Sequence, residues 1–398
     1  MRRTLPLMLL LALLPVWAGQ GYALSLLTQM GAAALACLAF QWLWGQGGML
    51  SFGQAIYSGA GAYLAVHLMR AAEAGWPVPM VLLPLLAGCG SGLLAWALGG
   101  ISTRRPGAAL AMITLGLGEL VWSVAPVFPA VFGGEGGLSA DRMAGVSLGF
   151  WQGNEPLHMY ALVAVYLLLA LWGMQHLERS PFGLYVRAAR EQAGRLAHVG
   201  PDPHRVRWMA FTLAGALAGM AGALSAMVFE IVTPEVFNPV RSGEVLLFTV
   251  LAGSRHWQGA LLGGALMVLA HTVLPHFTPA SGLYLGLVFM LVVARAPQGL
   301  TGLFSSWLSG FQAKVWAWPT PRMCLHTAAL CGALVFAGGL VEMAYQHQQL
   351  STAGTQLRWM GLTLNITQGQ DWVWMVLAAL ACAVLWVRSR DVAQGEAS

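Results

Sequence analysis

The sequence predicts an all-α protein, a polytopic bundle of transmembrane helices with about ten core spans and two extra C-terminal spans. Apolar residues make up 58% of the 398 residues, charged residues only 9%, and the mean hydropathy is +0.67. A water-soluble protein of this size needs a far more polar surface. The 49 glycines and 17 tryptophans also favour a membrane protein, because small residues let helices approach closely and tryptophan prefers the membrane interface.

Apolar segments mark the predicted spans, each about 20 residues long where a full crossing is expected. They lie at 4–18, 22–44, 53–70, 77–100, 107–127, 156–177, 208–229, 241–256, 258–275, 282–298, 323–345 and 371–388. Alternation from a cytoplasmic start leaves only four of the twenty Lys and Arg residues outside: Arg70, Arg142, Arg241 and Arg358. Because Lys and Arg resist translocation, this asymmetry predicts a multi-pass membrane protein with both termini in the cytoplasm. The segment 241–256 is short and is expected to enter the membrane only part way.

Changes in composition divide the chain into three predicted parts. Residues 1–303 form the core, 304–322 form a polar cytoplasmic or interfacial linker, and 323–398 form an appendage of two spans. The first apolar segment follows two arginines and is similar to a secretory signal. We interpret it as a retained span.

Several kinds of chemistry have no support in the sequence. Lys314, the only lysine, follows Ala313, so the phosphate-binding GxxxxGK[ST] loop is missing. No catalytic residue, metal site or bound cofactor is predicted, and the chain is not expected to be an enzyme. The net charge of +5 does not indicate a nucleic-acid partner, because the excess lies mostly in loops that membrane topology makes basic.

Polar residues within apolar surroundings are candidates for a translocation path. The glycine-rich run GQGGMLSFGQ contains Gln46, Ser51 and Gln54 between two apolar stretches, and irregular backbone at membrane depth requires a protein or water-filled environment. A plain short loop is the alternative. Thr114 and Glu119 lie within another span, where a carboxylate is costly. Glu119 lies near the path or a gate, or else has a structural role in pairing or capping.

The segment 178–207 carries six arginines between two apolar segments. Ser180 and Pro181 predict a helix start, and Gly200 predicts its end. Arg187, Glu191 and Arg195 are spaced for pairing along one helical face. The pattern indicates a charged cytoplasmic helix that can bind a soluble partner, or a basic loop that only sets the topology.

This segment resembles the cytoplasmic loop of the branched-chain amino acid permeases of ABC importers. The matching positions are Arg179, Ser180, Gly183, Ala188, Arg190, Glu191, Gly200 and Ala210. The runs GQGGMLSFGQ, RRPGAALAMITLGLGE, FGGEGGL and ARAPQGLTGL also resemble family motifs, in the family's order, and the likeness covers about residues 20–303. Gln54 replaces the usual histidine, Ala108 replaces an aromatic residue, and Glu135 replaces a small polar residue. The appendage has no counterpart in this pattern.

The resemblance implies a permease subunit that imports branched-chain amino acids or similar small polar solutes. Its implied partners are cytoplasmic ATPase subunits that use ATP, a second permease chain, identical or homologous, a periplasmic solute-binding protein, and membrane lipid. The resemblance implies that the helix at 180–200 is the coupling helix, which docks on the ATPase subunit. The implied ATPase-coupling residues are Arg187, Arg190, Glu191, Arg195 and Gly200. An ion-coupled secondary transporter is the alternative, in which Glu119 is the coupling carboxylate. A membrane scaffold without transport activity is a further alternative.

Overall fold

The computed structural model describes residues 21–143, 156–254, 257–277, 280–295, 299–302, 338–340, 356–359, 362–365, 373–374 and 376–377. The helices in these ranges are α1 Tyr22–Phe40, α2 Gln54–Glu73, α3 Leu83–Ser102, α4 Ala108–Val124, α5 Pro129–Phe132, α6 Pro156–Arg179, α7 Pro181–Glu191, α8 Ala193–Val199, α9 Pro203–Phe229, α10 Pro239–Ala252, α11 Trp257–Thr272, α12 Leu274–Phe277 and α13 Ser281–Arg295. The strands are β1 Leu138–Ser139, β2 Ile231–Val232, β3 Gln356–Trp359 and β4 Leu362–Asn365. A π-helical stretch, Gln41–Gln46, continues α1.

The fold class is confirmed as a helical membrane bundle. Six helical stretches of the described chain are long and apolar enough to span a membrane: Tyr22–Gln46, Met80–Ser102, Ala108–Val127, Pro156–Arg179, Pro203–Phe229 and Trp257–His276. The predicted spans 53–70, 241–256 and 282–298 correspond to α2, α10 and α13. The predicted spans 4–18 and 323–345 lie almost wholly outside the described residues, as does most of 371–388. The total number of spans therefore stays a prediction.

Helix α9 occupies the middle of the bundle and packs against α1, α2 and α3. Glycines make these contacts close: Gly219 lies against the side chain of Ser91, and Gly61 lies against the backbone of Gly219. The Ser91 hydroxyl donates a hydrogen bond of 2.5 Å to the Tyr57 carbonyl. The small-residue run at 215–224 therefore supplies the packing surface expected for helices in lipid, where close van der Waals contact replaces the hydrophobic effect.

The substitution Gly222→Ala is expected to destabilise the bundle. Gly222 lies against the backbone of Ser58, so a Cβ atom has no room unless a helix moves, and overpacking of this kind typically costs about 1–3 kcal/mol. Thermal unfolding of the detergent-purified variant should show a lower transition temperature. The matched control is Gly173→Ala, because Gly173 lies in another long apolar helix with open space around it. Equal transition temperatures for both variants would contradict this packing.

The bundle has two distinct ends. At one, which we call the loop end, β1 pairs with β2 and Arg142 forms a 3.0 Å ion pair with Glu230. At the other, which we call the basic end, the Thr103 hydroxyl lies 3.4 Å from His204 Nδ1, so that the Arg104–Arg105 turn lies near the start of α9. Helices α7 and α8 directly precede α9. The arginines of the 104–105 turn, of α7 and α8, and of the start of α9 therefore lie at the same end of the bundle, as the predicted topology requires.

The described residues form two compact units. One comprises the described parts of 21–269 and 289–302, and contains the helices discussed below. The second comprises the described parts of 270–288 and of the chain after 305. In it, the Tyr284 hydroxyl donates a 2.9 Å hydrogen bond to the Gly338 carbonyl, and β3 pairs antiparallel with β4. The predicted boundaries at 303 and 322 stay predictions.

Candidate functional site

Helix α7 begins where the local sequence predicts. Ser180 is the N-cap, and its Oγ atom accepts a 3.3 Å hydrogen bond from the Gly183 amide. Pro181 follows at the first helical position, where its missing N–H group has no cost. The same hydroxyl donates a 2.7 Å hydrogen bond to the Leu177 carbonyl. Ser180 therefore fixes the direction in which α7 leaves α6.

The predicted helix at 180–200 is in fact two helices. Gln192 adopts a non-helical conformation, with φ −149° and ψ 79°, and separates α7 from α8. Gly200, with φ 122°, ends α8 as predicted. Because Glu191 and Arg195 lie in different helices, their predicted pairing is wrong, and Arg187 and Glu191 form no ion pair in the described chain either. The side chains of Arg187, Glu191 and Arg195 are therefore available for contacts with other groups.

Helices α7 and α8 expose a mixed apolar and charged surface at the basic end. Gly183, Val186 and Ala189 face inward and are buried. The exposed side chains include Leu184 and Val199, at 59% and 75%, together with Glu191 and Arg195. We call this set of four residues the docking face.

Arg190 contacts the bundle although it is also exposed, and we do not count it in the docking face. Its guanidinium donates a hydrogen bond to the carbonyl of Gly45, and its aliphatic stem lies over Gly48. Gly48 has φ 63°, a backbone conformation that favours glycine, and an added Cβ atom would meet the Arg190 side chain. Arg190 therefore joins α7 to the glycine-rich segment 45–54.

Two further contacts hold segment 45–54 and the π-helical stretch before it close to α7. The Gln46 side-chain amide donates a 3.2 Å hydrogen bond to Glu178 Oε1 at the end of α6. The rings of Trp42 and Phe182 stack with centroids 6.3 Å apart. The π-helical stretch and the turn after it are therefore held at the basic end by three separate side chains.

The other end of segment 45–54 reaches the interior of the bundle. The Phe52 amide donates a 3.1 Å hydrogen bond to Thr114 Oγ1 on α4. The Ala55 amide donates a 2.7 Å hydrogen bond to Ser242 Oγ on α10. We call this meeting point of residues 51–55, Thr114 and Ser242 the polar junction. Segment 45–54 therefore runs in continuous contact from Arg190 to the polar junction.

The polar junction brings together the first turns of two helices inside the bundle. Helix α2 starts at Gln54 and α10 at Pro239. The 14 residues of α10 extend about 20 Å, less than the roughly 30 Å core of a bilayer. Its last residues lead to Ser254, whose carbonyl lies next to Gly45 at the basic end. The first turn of α10 therefore lies about 20 Å from the basic end, and partial entry of this segment into the membrane stays a prediction.

One buried and unpaired polar group lies at this junction. Ser51, Gln54, Thr114 and Ser242 are each no more than 4% exposed. The side-chain nitrogen of Gln54 is buried and has no hydrogen-bond partner among the described residues. Helix N-termini carry a partial positive charge, and in these two helices the Ala55, Ile56 and Val240 amides already donate hydrogen bonds within the chain. Such a cluster can bind a polar solute, in particular an anionic group, in a region that otherwise excludes charge.

The structure brings together some of the predicted path residues and separates others. Ser51, Gln54 and Thr114 meet at the polar junction. Gln46 lies at the basic end beside Glu178. Glu119 lies on the exposed side of α4, away from the buried Thr114. In the described part of the chain, no group of three or more His, Cys, Asp or Glu residues is arranged to hold a metal ion.

Ser242 is a junction residue that the sequence did not identify. Its contact with Ala55 joins positions separated by 187 residues. The short apolar segment after Asn238 and Pro239 was the available signal, because a half-length helix places its first turn inside the membrane. The Asn238 side chain caps that turn, accepting a 2.9 Å hydrogen bond from the Val240 amide.

A helical membrane bundle with broken segments that meet at a polar interior point is typical of transport permeases. The chain belongs to the family described as the branched-chain amino acid transport system / permease component, whose model matches residues 22–294. The predicted family is therefore confirmed. No solved structure matches the chain.

Curated relatives carry related names. The high-affinity branched-chain amino acid transport system permease protein LivM of Salmonella typhimurium is 29% identical over 277 residues, and that of Escherichia coli is 27% identical over the same length. Each match covers 64% of this chain and 64% of the LivM protein, so the likeness spans less than two thirds of those relatives. A probable permease protein LivH of Methanocaldococcus jannaschii is 25% identical over 273 residues, which is 64% of this chain and 83% of LivH.

Proposed function

We propose that this chain is the membrane-spanning subunit of an ATP-driven importer for branched-chain amino acids or similar small polar solutes. The observation that carries the proposal is the unbroken set of contacts from α7 through segment 45–54 to the polar junction. An ion-driven carrier has no need for an exposed helix linked in this way to its interior. The family to which the chain belongs supports the same function.

The docking face binds a separate cytoplasmic ATPase subunit. Its exposed Leu184 and Val199 provide apolar area, and Glu191 and Arg195 provide charges of both signs. Such a combination of apolar contact and charge complementarity suits a specific protein interface. ATP is bound and hydrolysed by that partner, and the chain itself binds no cofactor.

The transport cycle couples movement at α7 to the solute site. When the ATPase subunits close on ATP, α7 and α8 shift, and Arg190 carries the shift to Gly45 and Gly48. Segment 45–54 transmits this movement to Thr114 and Ser242, where the first turns of α2 and α10 meet. Rocking of α2 and α10 then opens the path alternately to each side.

The polar junction is the part of the translocation path that binds the solute. The whole path includes the predicted residues Gln46, Ser51, Gln54, Thr114 and Glu119. The unpaired Gln54 amide and the first turn of α2 suit the carboxylate of an amino acid. Gln46 lies where the path reaches the basic end. This assignment agrees with the printed names of the LivM relatives, which concern branched-chain amino acid transport.

The remaining partners follow from the proposed orientation. The basic end and both termini face the cytoplasm of a bacterial cell, and the loop end faces the periplasm. A periplasmic solute-binding protein delivers the solute there. A second permease chain, identical or homologous, completes the path.

Substitution of the docking face is expected to release the ATPase subunit. In the native membrane the tagged chain should co-purify with an ATPase subunit in mild detergent. Leu184→Asp combined with Glu191→Arg should abolish this, because an interface desolvates both positions and rejects a reversed charge. Ile231→Asp is the control, since Ile231 is 49% exposed at the loop end, and it should leave the ATPase bound.

The opposite result would favour the alternative. A chain that purifies alone from cells in which it supports uptake would contradict an importer driven by a separate ATPase. It would favour an ion-coupled carrier in which Glu119 is the coupling carboxylate.

A further inference from the structure

Three aromatic side chains pack together between α2, α5 and the start of α10. Phe237 ends the short helical turn Pro234–Phe237, two residues before α10 begins. Its ring stacks on that of Tyr63 on α2, with centroids 5.4 Å apart, and Phe132 of α5 lies edge-on to both, at 5.0 and 5.7 Å. We call these three rings the aromatic plug. Tyr63 and Phe237 are 4% and 2% exposed, so water is excluded from the space that the plug fills.

The aromatic plug lies on the loop-end side of the polar junction. The turn 234–237 contacts both α2 and α4, two of the helices that meet at the junction. An added Cβ atom at Gly59 of α2 would meet the Phe237 ring, and Gly59 lies about 7.5 Å along α2 from Gln54. Tyr63 lies about 13.5 Å from Gln54 in the same direction. A solute that moves between α2 and α4 from the loop end to the junction therefore has to pass these rings.

Residues 129–141, which we call the strap, carry Phe132 and run over the outer half of α2. Four side chains of α2, at successive turns along one side of the helix, bind backbone groups of the strap. They are Tyr63 to the Phe132 carbonyl at 3.1 Å, His67 to the Val131 carbonyl at 2.9 Å, Arg70 to the Ser139 carbonyl at 2.9 Å, and Glu73 to the Asp141 amide at 2.6 Å. The last three bonds lie at exposed positions, where water can replace them. The strap therefore fixes Phe132 in the plug through contacts that are easily exchanged.

The far edge of the strap is attached to the end of α9. Ser139 faces Ile231 in the β1–β2 pair, and the Ala140 amide donates a 3.2 Å hydrogen bond to the Glu230 carbonyl. The Glu230 side chain pairs with Arg142. Glu230 has φ 57° and is the only non-glycine residue of the described chain with a positive φ. Such a conformation persists only where surrounding contacts hold it, and it is common at switch regions. The strap therefore joins the outer ends of α2 and α9.

We propose that the aromatic plug is the outer gate of the solute path and that the strap is its latch. With the strap attached, Phe132 lies against Tyr63 and Phe237, and the path is shut on the loop-end side. Release of the strap from the end of α9 withdraws Phe132, and the other two rings part as α2 and α10 rock. This inference rests on the proposed function. It adds the residues that close the path and the contacts that keep it closed.

A reversible disulfide between β1 and β2 tests the inference. Ser139→Cys and Ile231→Cys are combined in the full chain, which is reconstituted in proteoliposomes with its natural ATPase, second permease chain and solute-binding protein. Both positions are exposed, and the Ala140–Glu230 hydrogen bond makes 139–231 a closely spaced, non-hydrogen-bonded pair that suits a disulfide. The matched controls are the two single variants, which cannot form the link, treated with the same oxidant. Mass spectrometry measures the linked fraction.

Oxidation of the double variant should abolish ATP-driven leucine uptake while the solute-binding protein and the ATPase stay bound, and a reducing agent should restore it. The single variants should transport under both conditions. Uptake by the fully linked chain at the unlinked rate would overturn the inference and leave the proposed function standing. Loss of uptake together with release of the solute-binding protein would also overturn it, since the link would then act on docking. Absence of ATP-driven uptake from the unmodified and the reduced chains alike would overturn both.

A second variant decides the question if the disulfide does not form. In Phe132→Cys, a membrane-impermeant maleimide applied from the loop end should modify the new thiol faster during ATP-driven uptake than at rest, because the gate opens in each cycle. Mass spectrometry separates this thiol from that of Cys89, which is exposed. Equal rates of modification in the two conditions would overturn the inference.

Discussion

Arg190→Ala is expected to uncouple transport from ATP hydrolysis while the ATPase subunit stays bound. The substitution removes the hydrogen bond to Gly45 and the cover over Gly48, and leaves the docking face intact. Uptake per bound ATPase should fall by about 5- to 150-fold, the range that a coupling free energy of about 1–3 kcal/mol gives. Proteoliposomes that contain the purified complex allow uptake and ATP hydrolysis to be measured together.

Arg187→Ala is the matched control for this variant. It removes the same charge from the same helix, and Arg187 makes no hydrogen bond or ion pair to the described residues. Uptake per bound ATPase should stay near the level of the unmodified chain. If Arg190→Ala instead releases the ATPase, Arg190 is a docking residue, as the family resemblance alone implies. Wild-type uptake per bound ATPase would contradict the inward role of Arg190.

Thr114→Val is expected to have the second largest effect on uptake. Valine keeps the shape of threonine but cannot accept the hydrogen bond from the Phe52 amide. An unsatisfied amide inside the bundle costs about 1–3 kcal/mol, and the end of segment 45–54 then loses its attachment to α4. Uptake should fall about tenfold or more, since each 1.4 kcal/mol is about one factor of ten, with normal amounts of chain in the membrane.

Thr114→Ser separates the hydroxyl from the methyl group. Serine restores the acceptor for Phe52 and can still donate to the Leu110 carbonyl, as Thr114 does at 2.9 Å. Uptake should return to near the original rate. A serine variant as inactive as the valine variant would show that the methyl group, and not the hydrogen bond, is what transport requires.

The sequence predicts those parts of the structure that depend on local chemistry. Ser180 and Pro181 start α7, and Gly200 ends α8, because capping and left-handed backbone conformations are decided within a few residues. The irregular segment 45–54 was also predictable, since glycines interrupt an otherwise apolar run. The grouping of arginines at one end follows from topology in the same way.

Contacts between distant parts of the chain could not be predicted. Nothing near Arg190 in the sequence shows that its guanidinium donates a hydrogen bond to Gly45, 145 positions away. The break at Gln192 separates residues whose spacing suggested pairing along one helix. The spacing of five residues places Thr114 and Glu119 about 140° apart around one helix, but it does not show which of the two sides is buried. Only tertiary packing decides which polar residues of a span meet.

Uptake of radiolabelled leucine into proteoliposomes is the most direct test of the central claim, that a separate ATPase acts through α7 on the polar junction. The complex is reconstituted with ATP on the side of the basic end and with all ion gradients dissipated. We predict uptake that needs ATP and is lost when residues 186–195 are deleted. Uptake that follows an imposed ion gradient, ignores ATP and survives this deletion would contradict the proposal.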